Sequence, residues 1–306
     1  MIARLDNLRK HPVVFKHLTG LTVAVFDELA AQVVPAVEAA HRQKLDRPDR
    51  RRAVGGGDNF DLSTADQLLL TVIWLRQYPT NETLGFLFGV SDSTASRVRT
   101  RCVPALERAG RDTMRMPDPG AAGRKRLPAL LKDTPGLAVI VDSFEQRTQR
   151  PKRRQRAYYS GKKKAHTLKS QVAVDEHSGR FVDVSDSVPG PWADIKLLRK
   201  SRLMRRLPEG VGGLGDLAYV GIGELHPEGL GASPRRKPRG KDRPPEDRRY
   251  NRAFSRRRIV VEHGIGRLRR FRAVACVNRH PRAGHAARVR AIAGLVNRML
   301  DHRTAS

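Results

Sequence analysis

Apolar positions along the chain follow two different periods. In the first hundred residues they recur every three or four positions, the spacing of amphipathic helices, whereas from Leu137 onward they gather into short runs rich in β-branched residues. Leu21 to Val37 predicts one helix of the first kind, and Lys44 to Asp58 is charged, Gly-rich and without period, an exposed loop. Ser63 is placed to cap a second helix, with Asp66 in the capping-box position three residues on, and Pro79 stops it just after Tyr78. Asn81 can then cap a short helix that ends at Gly89, and Ser91 a longer one that continues to about Val103. Short helix, Gly-containing turn and longer helix make a helix-turn-helix pattern. On its last helix Ala95, Val98 and Cys102 share an inward stripe. Thr94, Arg97 and Arg101 share the outward one, which can enter a major groove, and Arg99 is expected to reach phosphate. A solvated amphipathic helix would show the same pattern.

The second half changes character after a Pro-, Gly- and Ala-rich stretch between Arg111 and Asp133 that reads as a linker. Leu137-Ala138-Val139-Ile140-Val141 predicts a buried strand ending on Asp142. His166 to Val174 and Phe181 to Val184 predict two more strands, joined by a turn at Asp175 to Gly179, in an antiparallel meander. A helix is expected from Ala193 to Met204, with Ile195, Leu198 and Arg202 on one side and Asp194 as an ordinary first-turn acid. Another strand should end near Asp216, and Arg235 to Arg258 reads as a basic loop broken by prolines. The next helix has an apolar stripe of Val261, Ile265 and Leu268 beside a charged one of Arg258, Glu262 and Arg269, and the apolar lead-in from Ile259 suggests that Glu262 is partly buried. Arg282 to Leu300 gives a final amphipathic helix through Val289, Ile292, Leu295, Val296 and Met299.

Charge decides what kind of partner such a chain needs. Sixty Lys and Arg against 31 Asp and Glu leave +29 over 306 residues, a surface that repels itself unless a polyanion is the usual partner. Nucleic acid is the natural candidate. No apolar run approaches the roughly 20 residues of a spanning helix, and no signal segment follows Met1, so an intracellular protein without membrane partners is expected. Cys102 and Cys276 lack ligand spacing and read as small core residues. From Arg147 to Lys164 there are nine Lys or Arg and no acid, either a solvated loop or a phosphate-backbone contact.

Within so basic a chain, three acids anchored in apolar sequence stand out: Asp142, Asp216 and Glu262. Any one alone reads as a turn, cap or surface ion-pair residue. Together they suggest a divalent-metal site.

The stretches Val141-Asp-Ser-Phe-Glu-Gln146, Gln149-Arg-Pro151, Tyr159-Ser-Gly-Lys-Lys-Lys-Ala-His-Thr-Leu-Lys169, Gly215-Asp-Leu-Ala-Tyr219, Asn251-Arg-Ala-Phe-Ser255 and Val261-Glu-His-Gly-Ile-Gly-Arg-Leu-Arg-Arg-Phe271 resemble those of DDE-type transposases of bacterial insertion sequences, the IS5-related group of DDE superfamily endonucleases. The likeness covers nearly the whole chain. It departs at Ser143-Phe144, where the family often has a small residue and Thr, and at Pro191-Trp192-Ala193-Asp194, where a His-Asp pair is common.

The resemblance implies an α/β fold: a ribonuclease-H-like catalytic domain at 134–306, with a mixed sheet flanked by helices, preceded by an all-α helix-turn-helix domain at 1–115 and a linker at 116–133. Asp142, Asp216 and Glu262 match the acidic ligands residue by residue. They would hold two Mg2+ ions, for which Mn2+ can substitute. Arg258 and Arg269 match basic positions around the Glu, and with Thr94, Arg97, Arg101, Lys162, Lys163 and Lys164 complete the expected DNA contacts. The implied activity is binding of terminal inverted repeats, metal-dependent strand cleavage and strand transfer on double-stranded DNA, both transposon ends and target. A homo-oligomer assembled on DNA, at the nucleoid in the bacterial cytoplasm, goes with it. A catalytically inactive descendant that only binds DNA, or a basic RNA- or ribosome-associated protein, would share the charge but have no use for all three acids.

Overall fold

The computed structural model describes residues 3–46, 61–120 and 127–305. Most of the expected loop at Lys44 to Asp58, and residues 121–126 of the expected linker, lie outside them. The described chain divides into two compact units, one of residues 1–113, 270–276 and 290–306, the other of 114–269 and 277–289.

The first unit is helical. Helices α1 (Leu5–Leu8), α2 (Pro12–Thr19), α3 (Val23–Leu45), α4 (Thr64–Gln77), α5 (Asn81–Phe88) and α6 (Asp92–Arg111) bury the apolar stripes that the spacing predicts, from Val25, Phe26 and Leu29 on α3 to Ala95, Val98 and Cys102 on α6. Their starts are set by side-chain caps: Ser63 Oγ accepts from the Asp66 amide at 3.1 Å and Ser91 Oγ from the Thr94 amide at 3.1 Å. Thr80, not Asn81, caps α5, its Oγ1 accepting from the Thr83 amide at 3.3 Å, because the Asn81 carboxamide is taken up by Arg99. Helix α6 also runs on past Val103 through Pro104 to Arg111.

In the second unit β1 (Leu137–Arg147), α7 (Gln155–Tyr158), β2 (Tyr159–Ser160), β3 (Ala165–Asp175), β4 (Phe181–Val184), β5 (Val188–Pro189), α8 (Asp194–Ser201), β6 (Val211–Leu214), β7 (Gly231–Ala232) and α9 (Pro245–Arg269) follow in order. The sheet runs β2-β3-β1-β6-β7, with β4 and β5 also pairing with β3. β1, β3 and β4 form the expected antiparallel meander, whereas β6 lies parallel to β1 and β7 parallel to β6. This is the expected mixed sheet flanked by helices, the ribonuclease-H-like arrangement. β1 is longer than its apolar run because it keeps its β3 ladder as far as Arg147 after β6 has left its other edge.

Other expectations need correction here. The basic stretch 235–258 is loop only to Pro244; Pro245 opens α9, a helix start being where a missing amide costs least. The helix expected at 193–204 stops at Ser201, since Arg202 takes a left-handed conformation (φ 54°) before a 3-10 turn at Leu203–Arg205.

Past α9 come α10 (Arg272–Ala275) and α11 (His285–Ala305). Residues 270–276 and 290–306 belong with the helical unit, not with the domain expected at 134–306. The reason is packing. Val289, Ile292, Leu295 and Val296 of α11 are fully buried, and a Cβ at Gly294 would stand 2.2 Å from the Gly110 Cα, so α6 and α11 approach as only paired glycines allow. Arg76 on α4 reaches the Arg270 carbonyl at 2.6 Å and lies over the Phe271 ring. Cys102 is core, its thiol pushed up to about 11 by burial, while Cys276 is exposed.

Candidate active site and DNA-binding face

Asp142 and Asp216 are brought together by strand register. The last parallel pair between β1 and β6 is Ile140 with Leu214, and each acid lies two residues beyond its member of that pair. Asp142 continues along β1 while Asp216 follows the end of β6 as the cap of a 3-10 turn, and the two carboxyls are near enough for the charge of Asp216 to raise the pKa of Asp142. The Asp142 carboxyl is pushed up to about 6, first by burial; the Ser143 amide and Arg258 oppose, and Asp216 and Asp194 add to the rise. Asp142 Oδ1 accepts from the Ser143 amide at 2.7 Å, and Asp216 Oδ1 caps a 3-10 turn through the Ala218 amide at 2.9 Å. Gly215 is needed beside Asp216, because a Cβ there would lie 2.5 Å from that of Tyr219.

Asp194 is more than a first-turn acid. Its Oδ1 accepts from Ser143 Oγ at 2.6 Å and from Lys169 Nζ at 2.8 Å, and the same ammonium donates to the Trp192 carbonyl at 2.6 Å. Lys169 is only 6% exposed, so its ammonium is held against this acid, with Glu145 at 4.0 Å on its other side. Tyr219 closes the floor. Its ring is fully buried, its hydroxyl has no hydrogen-bond partner among the described residues, and burial, then Asp194, Asp142 and Asp216, hold its phenol well above the usual range against the Ser143 hydroxyl. Sequence reasoning gave no role to Lys169, Ser143 or Tyr219. A lysine in the middle of an apolar strand was the available signal.

Glu262 is not drawn into this group, and it is exposed rather than partly buried. Helix α9 buries Tyr250, Phe254, Arg257, Val261, Gly264, Ile265 and Leu268, a line at steps of three and four. One residue past Val261 turns Glu262 about 100° off that line. Among the described residues no three His, Cys, Asp or Glu side chains stand close enough together to hold a metal ion. Arg258, one turn before Glu262, comes within 3.6 Å of Asp142, so its guanidinium lies at the acid site. Arg269 is exposed at the end of the helix.

Two carboxylates nevertheless fit Mg2+, which is usually held by one or two protein carboxylates with water and substrate phosphate supplying the rest. The crowding itself argues for a cation. Three aspartates share this corner, with one lysine and one arginine against them.

In the helical unit Arg97 is exposed on α6 as expected and Thr94 is half-buried. Arg101 is tethered: its NH1 donates to Gln67 Oε1 at 2.8 Å, and burial lowers its pKa. Arg99 cannot reach phosphate. It is 6% exposed, lies over the Trp74 ring at 4.5 Å and donates to Asn81 Oδ1 at 2.6 Å. Lys162, Lys163 and Lys164 are exposed at the turn between β2 and β3.

Two family models match the chain: DDE superfamily endonuclease over residues 141–297, and helix-turn-helix of DDE superfamily endonuclease over 60–112. A protein of Microchaete diplosiphon described as "Probable transposase for insertion sequence element IS702" is 29% identical over 285 residues, covering 92% of this chain and 93% of its own. No solved structure matches.

Proposed function

The chain belongs to the DDE superfamily endonucleases, as a DDE-type insertion-sequence transposase, and from that premise we propose that it binds the terminal repeats of its element, nicks them and joins the freed ends to target DNA. The observation that carries the reading is the register of Asp142 and Asp216, two residues past the Ile140–Leu214 pair. Asp142 and Asp216 would hold the divalent ion, with Glu262 as third ligand. Such ions, when bound, make water or a 3′-hydroxyl nucleophilic and stabilise the leaving oxygen.

The chain's own residues do the rest. Arg258 balances the charge of Asp142, Lys169 that of Asp194, and the Ser143 amide fixes the rotamer of Asp142. Arg97 reads base edges from the exposed side of α6, and Lys162 to Lys164 neutralise backbone phosphates. This reading places the protein on the nucleoid in the cytoplasm, its copies assembling on paired ends.

The test uses duplexes taken from either side of the coding frame, with Mg2+. Asp142→Asn, Asp216→Asn and Glu262→Gln should each abolish nicking and joining while end binding stays within about twofold, since none touches α6. Near wild-type nicking by any of the three removes that residue from the set, and nicking by none of the proteins, wild type included, sinks the enzymatic reading.

A further inference from the structure

Beside α8 the second unit holds a cavity of about 620 Å3, within the roughly 300–1,000 Å3 of small-molecule sites. Its floor is apolar: Leu198 and Met204 are each 1% exposed. Its walls carry five cations, Lys196, Arg199, Lys200, Arg202 and Arg205, and no acid. None of the five has an acidic partner among the described residues. So much uncompensated charge around a concavity calls for an anion.

Trp192 makes the site more than a phosphate clamp. Its indole is half-buried at the cavity, with the Lys196 ammonium 4.6 Å and the Lys200 ammonium 5.1 Å from the ring centroid. Both lysines are exposed and flexible, so a flat ring can take their place while they turn to its phosphates. Arg202 stands in left-handed backbone, which glycine would adopt without strain, and it keeps a guanidinium at the rim. The cavity also adjoins the acids. The Trp192 carbonyl and Asp194 Oδ1 share the Lys169 ammonium, at 2.6 and 2.8 Å.

We propose that this cavity binds an unpaired nucleotide of a DNA strand, its base stacked on Trp192 and its flanking phosphates held by the five cations. An unpaired base is favoured because the faces of a paired one are covered by its neighbours in the duplex, whereas a splayed base finds an aromatic ring and an apolar floor here. The inference rests on the reading that Asp142 and Asp216 act on DNA, since it places the bound nucleotide beside the phosphodiester they handle.

The chain has two tryptophans, and Trp74 is sealed at 2% exposure, so quenching of intrinsic fluorescence reports Trp192. A short oligothymidylate should quench the full-length protein, and an abasic strand of the same length should not. Trp192→Phe should lose the quenching yet bind the strand within a few-fold in competition. Trp192→Ala should weaken strand binding roughly 5- to 150-fold, the worth of one stacked base, and leave binding of a blunt duplex unchanged. Asp142→Asn should quench like wild type, so a failure of cleavage chemistry and a failure of this site are read separately. Abasic and thymidine strands binding alike, or Trp192→Ala binding oligothymidylate like wild type, would reduce the cavity to a phosphate contact and overturn the proposal. Free thymidine monophosphate binding as tightly as the strand would overturn it in favour of a mononucleotide site.

Discussion

Arg257 is the residue whose removal should cost the second unit most. Its guanidinium donates to both oxygens of Glu176, at 2.9 and 2.5 Å, to Thr134 Oγ1 at 2.7 Å and to the Pro135 carbonyl at 2.8 Å, with 7% of the Arg and 4% of the Glu side chain exposed. Arg257→Met keeps most of the apolar stem and removes the guanidinium that holds both oxygens of the buried Glu176 carboxylate. Breaking a buried pair from one side costs about 3–5 kcal/mol, and the orphaned Pro135 carbonyl adds about 1 kcal/mol. The expected loss is therefore about 4–6 kcal/mol, a large part of the 5–15 kcal/mol typical of a whole domain. Arg257→Met/Glu176→Leu should recover much of it, because neither charge is then buried. Urea unfolding followed by circular dichroism measures both. A single variant within 1 kcal/mol of wild type would refute the reasoning, since the pair would then have to be solvated or open in solution.

Replacing Lys162, Lys163 and Lys164 with Gln should weaken binding to every duplex by a similar factor and shallow the log-affinity against log-salt slope by up to about three; an unchanged slope across a salt series would make this turn a solvated one. Arg97→Ala should lower discrimination between terminal repeat and random duplex by about 1–3 kcal/mol in competition binding, whereas Arg101→Ala, which frees Gln67, should also lower the melting temperature of the helical unit; equal weakening on all sequences would demote Arg97 to a phosphate contact. Tyr219→Phe removes a buried hydroxyl without a hydrogen-bond partner among the described residues, so it should stabilise by about 1 kcal/mol in urea unfolding; a less stable variant would show that the hydroxyl is bonded in solution.

What could be read in the chain beforehand was whatever depends on local period. The caps at Ser63 and Ser91 and the meander are consequences of neighbours in sequence, and the structure has them where spacing puts them, whereas Asp142 falls in mid-strand because β1 continues to Arg147. Arg99 and Arg257 each fall on the buried side of a helix, where a rule that sends charge outward does not look; Arg99 is held by Asn81 and the Trp74 face, and Arg257 by Glu176, Thr134 and Pro135. Lys169 lies inside a buried strand. Its partners, Asp194 and the Trp192 carbonyl, lie more than twenty residues away, and no local pattern reports them.

Glu262 is where the acid site is least complete, and its helix says how it can be completed. Helix α9 is pinned at Arg257 by its contacts to Glu176, Thr134 and Pro135, and at Gly264, where a Cβ would already stand 3.2 Å from Val174 Cγ2. Glu262 lies between those two fixed points. A slide of the helix toward the aspartates would break the four buried hydrogen bonds of Arg257, at the several kcal/mol worked out for Arg257→Met. Rotating the exposed side chain of Glu262 costs only rotamer freedom, at most about 2 kcal/mol. The side-chain movement is the cheaper one, so on the proposed reading Glu262 would join Asp142 and Asp216 by a change of rotamer on a helix that stays still. Asp142 is meanwhile left to the guanidinium at 3.6 Å, which holds one of the clustered charges in check until DNA and a cation arrive.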